Sequence, residues 1–215
     1  MFRTMLYVQW RWSRFITLLG AIAGFGVPVL SLRLGIGDGP RPLAVLDAMR
    51  DWSVVYPVFA AAVALLMTTA AWGSDHRGRH VYALSLPIPR WRYALLKLGT
   101  GAALLAIPVV ALWAGALAAT WAASIPAGLQ GYPTALALRF ALATLVAYGV
   151  FFAISAGTAR TAGIILAVVG GLVATEILAG AAGLDVPVLD MINAYVIHGP
   201  GPFAIFSGRW MLIDV

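Results

Sequence analysis

The sequence predicts an all-α fold, a polytopic bundle of transmembrane helices, and three observations carry that expectation. Its 215 residues are 62% hydrophobic and only 10% charged, whereas a soluble domain keeps about 25% charged residues to wet its surface. Apolar runs at about 15–33, 53–73, 98–124, 134–156 and 162–183 each approach or exceed the roughly 20 residues needed to cross a hydrocarbon core of about 30 Å. The cations sit beside these runs and form no single stripe, which is the pattern of membrane-flanking charge. Lipid offers the backbone no hydrogen bonds, so each run is expected to close on itself as a helix. The length suits one domain over 1–215, with five full spans.

Residues 1–14, MFRTMLYVQWRWSR, place Arg3, Tyr7, Arg11 and Arg14 on one helical face and turn Met5, Leu6 and Val8 away from it. This suits an interfacial helix lying along the membrane before the chain dives; a simple extension of the first span is the alternative. Ala21-Ile22-Ala23 resembles a signal cleavage site, but the apolar run continues to Leu32, so a retained first span is expected. Gly20 and Gly24 form a small-xxx-small face suited to close helix packing. Between the first two spans, residues 41–52 are amphipathic: Val45, Met49 and Trp52 share a side, while Asp47, Arg50 and Asp51 face elsewhere, which predicts a helix lying flat on the membrane surface.

After the fifth run the chain is broken by Pro187, Pro200, Gly201 and Pro202, which forbid one long helix. Arg209-Trp210 reads as an interfacial anchor, with Met211-Leu212-Ile213 as the apolar start of a sixth span that is truncated or missing. With the N-terminus inside, inner segments carry Arg3, Arg11, Arg14, Arg77, Arg79, Arg90, Arg92, Lys97 and Arg160. Outer segments carry Arg33, Arg41, Arg50, Arg139 and Arg209, diluted by Asp38, Asp47, Asp51, Asp185 and Asp190. The bias of nine cations to five predicts a cytoplasmic N-terminus and a cytoplasmic loop over 74–97.

Little in the chain suggests bond chemistry. Glu176 is the only glutamate, which excludes paired-glutamate proteolysis. No His-Glu-x-x-His and no Gly-x-Ser-x-Gly occurs. A phosphate-binding loop needs Gly-Lys followed by Ser or Thr, but the only lysine, Lys97, sits in LLKLG. No cysteine is present, so thiolate metal sites are excluded. Asp75, His76 and His80 offer workable metal spacing, but Arg77 and Arg79 crowd them with positive charge. The expectation is a protein that is not an enzyme, with no cofactor, no metal and no nucleic-acid partner. Glu176, inside the fifth run, reads either as a residue on a substrate path or as a neutral carboxyl bonded to a neighbouring helix.

The stretch SDHRGRHVYALSLPIPRWR, residues 74–92, stands out. Five of the fourteen cations lie between Arg77 and Lys97. Asp75, Arg77 and Gly78 open the stretch, a short amphipathic segment with Val81, Tyr82, Leu84 and Leu86 follows, and Leu86-Pro87-Ile88-Pro89-Arg90 precedes Lys97. That order resembles a type-2 ATP-binding-cassette (ABC) transporter permease, the membrane-spanning subunit of an ABC exporter. The resemblance covers most of the chain in topology, but its only motif-like part is 74–97. The family usually carries Glu where Asp75 stands and has a sixth span.

The resemblance implies that Asp75, Arg77, Gly78, Val81, Tyr82, Leu84, Leu86, Pro87 and Arg90 couple the spans to a cytoplasmic ABC ATPase subunit. It also implies a second copy, or a similar permease, as partner within a bacterial-type cell membrane. The alternative reading is a non-transport membrane scaffold or an accessory subunit of a larger complex.

Overall fold

The structure is a computed structural model that describes residues 1–36, 42–77, 88–123, 125, 128–156, 164, 167–168, 171, 174–175 and 203–214. It is almost entirely helical. In chain order, α1 spans Phe2–Ile36, α2 Pro42–Trp52, α3 Val55–Arg77, α4 Arg90–Ala122 and α5 Pro133–Ala156. Two short strands, β1 at Gln130–Gly131 and β2 at Ile213–Asp214, complete it. Helices α1, α3, α4 and α5 are long and apolar enough to cross a membrane. Of the fifth run, residues 164, 167–168, 171 and 174–175 are described and helical.

Contacts group the chain into two compact units, Met1–Phe152 with Arg209–Val215, and Ala153–Gly208. The first unit holds the bundle. Along α1, Ser31 meets Tyr56 at 3.2 Å and Thr17 meets Met67 Sδ at 3.6 Å, so α1 and α3 run antiparallel. Gln9 meets Thr100, and Gly24 faces Pro108 and Leu112, so α1 and α4 run parallel. Trp113 bonds Thr134 while Gly101 faces Tyr148, setting α5 antiparallel to α4. Stacked Phe59–Phe140 and tilted Trp72–Phe152 pairs, with centroids 5.3 and 5.1 Å apart, hold α3 parallel to α5. The result is an up-down-up-down bundle with Arg3, Arg11, Arg90 and Arg92 at one end and Arg33, Arg50, Arg139 and Arg209 at the other.

The polarity of α1 is inverted relative to a water-soluble helix. Gln9, Ser13, Thr17, Gly20, Gly24, Pro28 and Ser31 are all buried, at spacings of three and four that keep one helix stripe inward. Phe15, Leu19 and Ile22 are about two-thirds exposed or more. Large exposed apolar side chains beside a small, polar interior suit a helix whose outer solvent is lipid. The small stripe allows close approach: a Cβ on Gly115 would run into the Phe25 backbone, and one on Gly24 would lie 2.9 Å from the Pro108 carbonyl oxygen.

Several expectations meet the structure here. Arg3, Tyr7, Arg11 and Arg14 are all exposed, but no break separates an interfacial helix from the first span. Helix α1 is continuous for 35 residues, about 52 Å at 1.5 Å per residue, so its first turns extend past a core of about 30 Å. In α2, Val45 and Met49 are fully buried and Trp52 half-buried, so the apolar side expected to rest on the membrane surface packs largely against protein.

The reading of Arg209–Ile213 needs correction. Trp210 is buried rather than interfacial, and Met211-Leu212-Ile213 opens no helix. Strand β2 pairs antiparallel with β1, Gln130 opposite Asp214 and Gly131 opposite Ile213, and the Tyr132 amide donates to the Leu212 carbonyl at 2.8 Å. Arg139 on α5 fixes this strap by donating to the Arg209 carbonyl at 2.7 Å and lying 4.7 Å over the Trp210 ring. Pairing and burial satisfy the segment's apolar side chains, so they do not need a span.

In the second unit, Thr175 Oγ1 donates to the Gly171 carbonyl at 2.8 Å, and a 3₁₀ turn, Ala204–Phe206, is closed by Ser207.

Candidate functional site

The chemistry of the bundle concentrates at the end where α3 finishes and α4 begins. Asp75 lies in the last turn of α3, and Tyr93 and Lys97 lie one turn apart on α4, so both α4 side chains face the same carboxylate. Lys97 Nζ donates to Asp75 Oδ2 at 2.6 Å, with side-chain exposures of 6% and 3% for the lysine and the aspartate. The Tyr93 hydroxyl donates to the same carboxylate at 2.9 and 3.1 Å. The ammonium also sits 4.5 Å from the Trp72 ring centroid and 5.3 Å from that of Tyr93, within range of a cation–π attraction. An isolated charge so deeply excluded from water is strongly disfavoured. The pair persists because each charge neutralises the other and aromatic faces surround the cation.

A second polar link lies one turn further in. Thr100 Oγ1 donates to Gln9 Oε1, tying α4 to α1. Gln9 Nε2 and the Tyr148 hydroxyl both face the point above Gly101 where a Cβ would stand, so glycine is required there for α1, α4 and α5 to converge.

Between these groups and the outside lies a cavity of about 380 Å³. Its walls include Met5, Val8, Trp12, Ala71 and Leu96, and Gln9, Asp75, Tyr93 and Lys97 also line it. The volume and the apolar lining with a few convergent polar groups match those of small-ligand sites. The arrangement can bind and orient a small ligand, and it ties the end of α3 to α4.

Of the residues expected to couple the chain to an ATPase, Asp75 is described and turned inward onto Lys97. Arg90 is exposed as the first residue of α4. Pro89 precedes it with φ −58°, the fixed angle that suits a helix start. The helix at Arg77 is described but its side chain is not, and Gly78, Val81, Tyr82, Leu84, Leu86 and Pro87 lie outside the described residues, as does Glu176. Asp75, weighed as a metal ligand with His76 and His80, bonds Lys97 and Tyr93. The His76 side chain and His80 also lie outside the described residues.

Sequence reasoning missed the Asp75–Lys97 pairing and the Gln9–Thr100 link. The signal for the first was the lone lysine of an apolar chain with an acid one helix end away. For the second it was the repeat Gln9, Ser13, Thr17 at four-residue spacing. Comparison with protein-family models, curated proteins and solved structures gives no match.

Proposed function

We propose that this chain is the membrane-spanning permease subunit of an ABC exporter, moving substrate with ATP hydrolysed by a separate cytoplasmic subunit. In this reading the chain sits in a bacterial-type cell membrane with its N-terminus inside. It has five spans, the fifth over 162–183, and works beside a second copy or a similar permease. One observation carries the reading. The segment expected to receive the ATPase joins the end of α3 to the start of α4, and the Asp75–Lys97 bond clamps those two ends together. A push delivered to residues 78–87 would then reach both helices as one unit instead of being absorbed in a hinge. Asp75 serves here as the clamp beneath the coupling segment, and Val81, Tyr82, Leu84 and Leu86 supply its apolar contact with the ATPase.

The test is whether a cassette ATPase co-purifies with the tagged protein from membranes of its native host. Wild type is expected to retain it. Leu84→Asp would bury an unpaired charge in the partner's groove and is expected to lose the ATPase while inserting normally. Equal recovery from both, with unchanged substrate efflux, overturns the coupling role.

A further inference from the structure

The basal cavity has a chemistry that the coupling role does not use. We propose that it holds the head of a zwitterionic phospholipid, ammonium and phosphate together, with an acyl chain lying down the outer face of α1.

Charge balance decides the head. The cavity is lined by both members of a buried ion pair, Asp75 and Lys97, which together are neutral. A head with net charge would add an uncompensated charge beside them, whereas one carrying a charge of each sign adds none. Of the three donors on the Lys97 ammonium, one goes to Asp75 at 2.6 Å and another reaches the Tyr93 oxygen only at 3.4 Å. The long bond to Tyr93 is the one a phosphate oxygen would replace. The Trp12 ring in the wall suits the head's ammonium.

Depth and shape decide the lipid. The cavity opens beside Met1 and Trp12, 69% and 48% exposed, at the end of the bundle where Arg3, Arg90 and Arg92 gather. Tryptophan and arginine together mark headgroup level. From the cavity wall at Val8 and Trp12, an exposed apolar track continues through Phe15, Leu19 and Ile22. These spacings of four and three keep it on one side of α1, and it leads from the headgroup toward the bilayer centre as an acyl chain does.

The experiment titrates the purified full chain, in detergent, with phosphatidylethanolamine and phosphatidylglycerol of matched acyl chains, and with soluble glycerophosphoethanolamine. Binding is read by native mass spectrometry. The zwitterionic lipid is expected to bind at least about tenfold tighter than the anionic one, and the soluble head to bind undetectably. Asp75→Asn/Lys97→Met is expected to erase the preference between lipids. Val8→Trp, which narrows the cavity and leaves the ion pair intact, is expected to weaken the zwitterionic lipid selectively; it reads the site even where the double variant fails to fold. Equal or tighter binding of the anionic lipid would assign the site to the arginine rim and overturn the proposal. So would full binding of the soluble head, or an unaltered preference in Val8→Trp.

Discussion

Lys97 Nζ and Asp75 Oδ2 meet at 2.6 Å with both side chains nearly closed off from solvent, so each charge is tolerated only because of the other. Removing one partner should therefore cost more than removing both. Lys97→Met is expected to destabilise the bundle by about 3–5 kcal/mol, because it strands the carboxylate. Asp75→Asn/Lys97→Met should recover much of that loss. Thermal unfolding in detergent reads the difference, and a double variant no better than the single one would contradict this account.

Close approach of α1 and α4 predicts a contrast between two glycines. A Cβ on Gly115 would meet the Phe25 backbone, whereas one on Gly26 would meet nothing within 4 Å. Gly115→Ala should destabilise by about 1–3 kcal/mol through overpacking. Gly26→Ala should be neutral or stabilise by about 0.5–1 kcal/mol through its better helix propensity. Equal melting temperatures for the two variants would refute the packing.

Trp210, 1% exposed, anchors the strap that pairs β2 with β1. Trp210→Ala should cost about 3–5 kcal/mol locally and release the Tyr132 amide from the Leu212 carbonyl. Hydrogen exchange at Tyr132 should then rise well above wild type while exchange along α3 stays unchanged. Protection retained at Tyr132 would show that the strap is held elsewhere.

Orientation can be read chemically, because the chain has no cysteine. Asp47 and Arg90 are exposed at opposite ends of the bundle. Asp47→Cys should react with an impermeant thiol reagent from outside intact cells, and Arg90→Cys only after the cells are opened. Labelling of both from one side would reject the expected topology.

The spans were legible wherever hydrophobicity alone determines them. The runs at 53–73 and 134–156 became Val55–Arg77 and Pro133–Ala156, because a helix in lipid must continue until its backbone reaches water. The run beginning at 98 became a helix beginning at Arg90: hydropathy detects the oily core, while the helix also includes the charged turn outside it. Inward polarity was harder to see. Ser13 and Thr17 are unremarkable in composition, and only the three-dimensional pairing of Gln9 with Thr100, 91 residues apart, gives their stripe a purpose. The strap was illegible for a similar reason. Two-residue strands carry no periodicity, and the pairing of Ile213 with Gly131 spans 82 residues of chain.

The inward stripe of α1 also bears on how the protein is made. Its natural counterpart, α4, emerges from the ribosome only after α2 and α3, so α1 must first wait in the bilayer without it. Ser13 and Thr17 are prepared for that interval, since each hydroxyl already donates to a carbonyl one turn back in α1 itself, Gln9 and Ser13 respectively. The acceptor oxygen of the Gln9 carboxamide is instead met by Thr100, a threonine synthesised much later. Until Thr100 arrives, the nascent first helix carries an amide oxygen still without the partner it has in the finished bundle.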